Sequence, residues 1–149
     1  MFFKIYPNLY LGDHNSPSEL KPQAVLSVMN DVAPFPIIAP YYLRVPVPDG
    51  PGIDFKMIDI SFRFLDFCSD NSLMTLIQCW SGRSRSISIA SGWIYKRSGK
   101  PFTDILKEIL QERISFEKHP EWILPVDQYP FPHPVVLEMV RSYLECGND

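Results

Sequence analysis

Between Leu73 and Lys96 the hydrophobic period of the sequence changes within a few residues, and that change narrows the folds open to the chain. Leu73 to Gln78 is a short apolar run, the length of a buried strand, whereas Ile87, Ala90 and Ile94 recur at helical spacing after Ser84. Cys79-Trp80-Ser81-Gly82-Arg83-Ser84 is the turn between them. A buried strand that passes straight into a helix belongs in a sheet whose faces are covered by helices.

The rest of the chain fits that frame. Phe3 to Tyr6 and Leu9 to Leu11 read as two short strands followed by a Gly12-Asp13 turn. Ala24 to Met29, bounded by Pro22 and Asn30-Asp31, has the pattern of a strand buried on both faces; Tyr41 to Val47 looks similar but ends in prolines. Asp54 can cap a helix carrying Ile58, Phe62 and Leu65 and ending near Cys68. Phe102, Ile105, Leu106, Ile109 and Leu110 form another apolar stripe, and Pro134 can open a last helix to Glu145. The expectation is one α/β domain over 1–149, with a central, largely parallel mixed sheet of four to five strands flanked by helices. Tyr41, Tyr42, Phe62, Phe64 and Phe67 are expected in core or loop packing. The prolines cluster in Pro34 to Pro51 and Pro120 to Pro134, which predicts looped chain there.

Composition removes several classes of function. A net charge of -3 and a pI near 5.6 offer no field to gather nucleic acid or an anionic membrane. Three widely separated cysteines, Cys68, Cys79 and Cys146, make neither a disulfide framework nor a zinc site, which favours a reducing cytoplasm. Cys68 and Cys146 are expected to be buried small hydrophobic side chains. Cys146 lies four positions from the end, but Gly147-Asn148-Asp149 is not a prenylation signal. No apolar run nears the roughly 20 residues that cross a bilayer, and no secretory leader is legible. His14, His119 and His133 lack ligand spacing and are expected to be surface or loop residues.

The turn carries the chemistry. It follows a buried strand and opens a helix, so its amides, from Trp80 to Arg85, should converge beneath an anion such as phosphate. Gly82 allows the positive φ or close approach that such a bend needs. A thiol at a helix N-terminus beside an arginine ionises more readily, and Cys79 meets both conditions. Arg85 presents a planar fork to two phosphate oxygens, and Ser86 is placed to donate to the sulfur. Arg83 reads equally as a solvated loop residue or as a contact for a second acidic group on a substrate.

Cysteine, five residues, arginine and serine, with glycine third after the cysteine, resembles the signature loop of the protein tyrosine phosphatase superfamily. Lys4-Ile5-Tyr6-Pro7-Asn8-Leu9-Tyr10-Leu11-Gly12 is similar to the N-terminal strand pair of its small dual-specificity branch, and the likeness runs over about residues 3 to 113. The resemblance implies a protein phosphatase acting on phosphorylated proteins without metal or organic cofactor, and a monomer is the expected state. Cys79 would be the nucleophile, Arg85 the phosphate ligand, and Ser86 a donor to the leaving thiolate. Val47-Pro48-Asp49-Gly50-Pro51 looks like the general-acid loop, which makes Asp49 the acid, with Asp54 and Asp59 as alternatives. One departure stands out: Gln78 occupies the position before the cysteine where the family usually has histidine.

Other readings are weaker. Sulfurtransferase loops of the rhodanese type place the arginine one residue earlier, where this chain has Ser84. An RNA 5'-phosphatase would be expected to carry a basic surface. A catalytically inactive module that binds phosphorylated partners has only Gln78 in its favour.

Overall fold

A strand pair opens the chain, β1 (Phe2–Tyr6) and β2 (Leu9–Gly12), antiparallel, with Asn8 taking the left-handed position of the turn at φ 61°. In this computed structural model, which describes residues 1–32 and 36–146, there follow α1 (Ser16–Leu20), β3 (Ala24–Ser27), β4 (Tyr41–Arg44), α2 (Phe55–Asp70) and β5 (Thr75–Gln78). Then come α3 (Arg85–Ser98), α4 (Phe102–Ile114), two 3-10 turns at Pro120–Trp122 and Val126–Gln128, and α5 (Pro134–Cys146). Pro34, in the first proline cluster, and Gly147-Asn148-Asp149 lie outside the described residues.

The strands form one five-stranded sheet in the order β1-β2-β5-β3-β4, parallel throughout except for β1. The expected α/β architecture is therefore present, with β5 at its centre. Helix α3 packs against the sheet, α2, α4 and α5, and every residue from Arg85 to Ile94 is buried. Asp54 caps α2 by accepting from the Met57 amide at 2.9 Å. Among the described residues no helix is long and apolar enough to cross a membrane.

Three local expectations are corrected. The apolar run Ala24 to Met29 is a strand only to Ser27; Val28 and Met29 leave the sheet but remain buried as β3 turns over the end of β5. Tyr41 to Val47 is a strand only to Arg44, at the edge of the sheet, and its four strand residues are exposed or half-buried instead of covered on both faces. Tyr41, Tyr42 and Phe67 are exposed, Tyr41 resting on Phe67 at the sheet edge, while Phe62 is core. Helix α1, a single short turn after Gly12, had no periodic signal to announce it.

Candidate active site

Residues that follow parallel strands gather at the carboxyl end of the sheet. β5 and β3 are paired neighbours, so Cys79 to Ser84 after β5 meets Asn30 and Asp31 just beyond β3. Cys79 is buried at the foot of the bend, its Sγ 3.2 Å from Ser86 Oγ in the first turn of α3.

The bend is held from outside by its carbonyls. The His14 amide donates to Trp80 O at 3.0 Å. Arg113, in the last turn of α4, donates to Ser81 O at 3.0 Å and to Gly82 O at 3.1 Å. In a trans peptide the C=O and the next N–H point in opposite directions. The amides of Ser81, Gly82 and Arg83 are therefore turned to the inner side of the bend, and none has an acceptor among the described residues. Gly82 sits at φ 67°, and a Cβ there would lie 2.9 Å from Gly12 O, so both its conformation and its packing call for glycine.

Arg85 is buried and held by three acceptors. Its Nη1 donates to Asn30 Oδ1 at 3.0 Å and Val47 O at 3.2 Å, and Nη2 pairs with Asp31 Oδ2 at 2.9 Å. Its Nε is buried with no partner among the described residues. Nε and one hydrogen of Nη2 make up the edge of the planar fork that suits an oxyanion, and on that edge Nε has no protein partner. An orphaned charged donor is costly to bury, and an arriving anion would relieve that cost.

Sequence reasoning missed Asn30, Asp31 and Arg113. The first two were legible only as the end of a strand, and Arg113 only as part of a helix whose other face is apolar; their roles come from the strand order.

Arg83 is not a solvated loop residue, because its side chain is mostly buried against Glu117. Its Nε and Nη2 reach Glu117 Oε2 and Oε1 at 2.8 and 2.7 Å, and its guanidinium lies 4.6 Å from the centre of the Trp122 ring. Tyr129 Oη donates to Glu117 Oε2 at 3.0 Å, and Arg113 Nη1 lies 3.7 Å from the same oxygen. The Arg83 fork, helped by Tyr129 and opposed by burial, holds the Glu117 carboxyl down at about 2. Burial and the bond to Glu117 push the Tyr129 hydroxyl up to about 12.

A depressed carboxyl stabilises the fold fully above its ordinary pKa and loses that effect as pH falls through the folded value. Glu117 should therefore contribute about 3 kcal/mol at neutral pH, lost between about pH 5 and pH 2. Urea unfolding across that range should show the loss in the parent chain and a flatter, lower profile in Glu117→Gln.

Asp49 lies on an exposed loop after β4, and its Oδ1 accepts from Ser84 Oγ at 2.5 Å. The alternatives are used elsewhere: Asp54 caps α2, and Asp59 accepts from Tyr143 at 2.7 Å and pairs with Arg63. Two histidines, both in loops as expected, touch the bend. The His14 ring stacks on Trp80 with 4.1 Å between centroids, and the His133 amide donates to Ser84 Oγ at 2.8 Å. Gln78 Nε2 donates to Ser27 Oγ at 3.2 Å, and its Oε1 is buried without a partner. A cleft of about 410 Å³ opens beside the bend, lined by Trp80, Ser81 and Arg83 but by neither Cys79 nor Arg85, so it is not the space over the sulfur. Among the described residues no three His, Cys, Asp or Glu side chains are grouped to hold a metal ion.

Comparisons with known proteins agree on one family. No family model matches the sequence. Protein-tyrosine-phosphatase IBR5 of Arabidopsis thaliana is 30% identical over 129 residues, covering 74% of this chain and 48% of that protein. Human dual specificity protein phosphatase 15 is 28% identical over 117 residues, covering 73% of this chain and 39% of that protein. The chain thus spans less than half the length of either relative. Among solved structures, human DUSP28 superposes with a TM-score of 0.75 at 18% identity, covering 99% of this chain and 95% of that one. The human tyrosine phosphatase-like serine/threonine/tyrosine-interacting protein gives 0.74 at 18% identity, covering 99% and 98%. At such identities the superpositions establish the fold alone.

Proposed function

Since the chain belongs to the protein tyrosine phosphatase superfamily and resembles its small dual-specificity members, we propose that it is a protein phosphatase working through a phosphocysteine intermediate. The observation that carries this reading is the buried Nε–H of Arg85, left without a protein partner beside a bend whose Trp80, Ser81 and Gly82 carbonyls are bonded from outside. Backbone amides and a fixed guanidinium then face the same small volume, which is how an oxyanion is stabilised without reorganisation.

In the first displacement the Cys79 thiolate attacks phosphorus. The P–O bond to the substrate side chain breaks, and Asp49 protonates the departing oxygen. In the second, water attacks the thiophosphate, gives a proton to Asp49, and the S–P bond breaks. Ser86 Oγ donates to the leaving thiolate. Phosphotyrosine is the first substrate class to test, with phosphoserine and phosphothreonine next. The same reading has the chain acting as a monomer in a reducing cytoplasm, where its free thiols would persist.

Hydrolysis of a chromogenic aryl phosphate, followed with acid quenching to trap a phosphocysteine, tests the proposal. Asp49→Asn should lower kcat/KM by about 100-fold or more for a phenyl leaving group and let the adduct accumulate. An inactive parent chain that still binds a phosphotyrosine peptide would instead support the binding-module reading. That alternative is favoured by one feature, Gln78, whose uncharged amide leaves Oε1 unsatisfied where the family usually carries histidine.

A further inference from the structure

We propose that Ser84 is a positioning residue for the acid step, because the Glu117–His133 segment orients its hydroxyl and that hydroxyl determines which oxygen of Asp49 carries the proton. The inference rests on the reading of Asp49 as general acid and extends it to a residue and a segment that the reading leaves idle.

The hydroxyl has one hydrogen and two lone pairs. The His133 amide, 2.8 Å away, can only donate, so Ser84 Oγ accepts there. Its own hydrogen is left for Asp49 Oδ1 at 2.5 Å. An oxygen that accepts such a bond is the poorer place for a proton, so the acid proton resides on Oδ2, which has no protein partner among the described residues. Without Ser84 the carboxyl could hold its proton on either oxygen and rotate on its exposed loop.

The segment that aims the hydroxyl is itself anchored to the signature bend. Glu117 and Trp122 grip Arg83, and Tyr129 closes on Glu117. The His133 ring also lies beside the acid loop, near enough that a Cβ on Gly50 would be 3.7 Å from its Nε2. The proline-rich stretch thus connects the bend that binds phosphate to the loop that protonates the leaving group, with Ser84 at the junction.

General-acid assistance matters most when the leaving oxygen is basic, and a merely structural defect would not sort substrates by leaving group. In Ser84→Ala, kcat/KM should fall about 10-fold for phenyl phosphate and less than about 3-fold for 4-nitrophenyl phosphate. Inhibition by inorganic phosphate, which the main chain and Arg85 bind, should change less than about twofold. Ser84→Thr should restore the phenyl phosphate rate. In the Asp49→Asn background Ser84→Ala should have no further effect on phenyl phosphate, since the two residues act as one unit. If melting shows that Ser84→Ala does not fold, the near-isosteric Ser84→Cys under reducing conditions supplies the same comparison with a weak donor. Equal losses for both leaving groups, or full additivity with Asp49→Asn, would overturn the proposal. If Asp49→Asn alone showed no dependence on leaving group, it is the general-acid reading that would fail.

Discussion

Cys79→Ser is expected to abolish turnover of aryl phosphates, by at least about 10⁴-fold in kcat, because no other group in the cradle can form the covalent intermediate. Binding should survive. The amides of Ser81, Gly82 and Arg83 and the Nε donor of Arg85 do not depend on the sulfur. Affinity for a phosphotyrosine peptide, measured calorimetrically on the inactive variant, should stay within a few-fold of the parent chain's inhibition constant for a non-hydrolysable analogue. Turnover that persisted in Cys79→Ser would rule out the two-displacement mechanism. The acid-quenched adduct must also vanish in this variant while it accumulates in Asp49→Asn, so the two results together place the phosphoryl group on the sulfur.

Arg85→Lys should cost about 10³-fold in kcat/KM although the charge is retained. The guanidinium satisfies Asn30 Oδ1, Val47 O and Asp31 Oδ2 through Nη1 and Nη2, which leaves Nε as the donor proposed for the ligand. An ammonium is a point charge with no such division of donors, and would settle toward Asp31. Phosphate inhibition should weaken along with kcat/KM, which separates this variant from Cys79→Ser. Near-parental activity in Arg85→Lys would mean that the Nε donor is not part of the phosphate site.

The two sets of variants probe different layers of the site. Cys79, Arg85 and Asp49 are assigned to the reacting atoms, whereas Glu117 and Ser84 act through the placement of others. Glu117 carries the greater cost to stability of the two, because removing one partner of a buried ion pair leaves Arg83 uncompensated against Trp122.

Much of this was legible before any coordinates. The change of period around Cys79 marked a strand, a bend and a helix, and the cysteine, glycine, arginine and serine spacing marked the bend as the candidate anion cradle. Asp54 read correctly as a helix cap because capping depends on neighbours three residues away. Arg83 was ambiguous for the opposite reason, since its partner Glu117 lies 34 positions along the chain. Tyr41 to Val47 misled because apolar composition does not say whether a strand is central or at an edge.

Local chemistry, then, was written into the chain: which residue is the candidate nucleophile, which fork can hold phosphate, and where the backbone must bend. What the folded arrangement alone decided is how those groups are aimed. Asn30 and Asp31 meet Arg85 only because β3 lies beside β5, and Arg113 holds two carbonyls of the bend only because α4 packs on α3. His133 reaches Ser84 only because the chain after α4 folds back over the bend. Spacing along a sequence fixes short-range geometry through backbone sterics, while contacts between distant segments depend on which faces pack together, and that choice is made by the whole core at once.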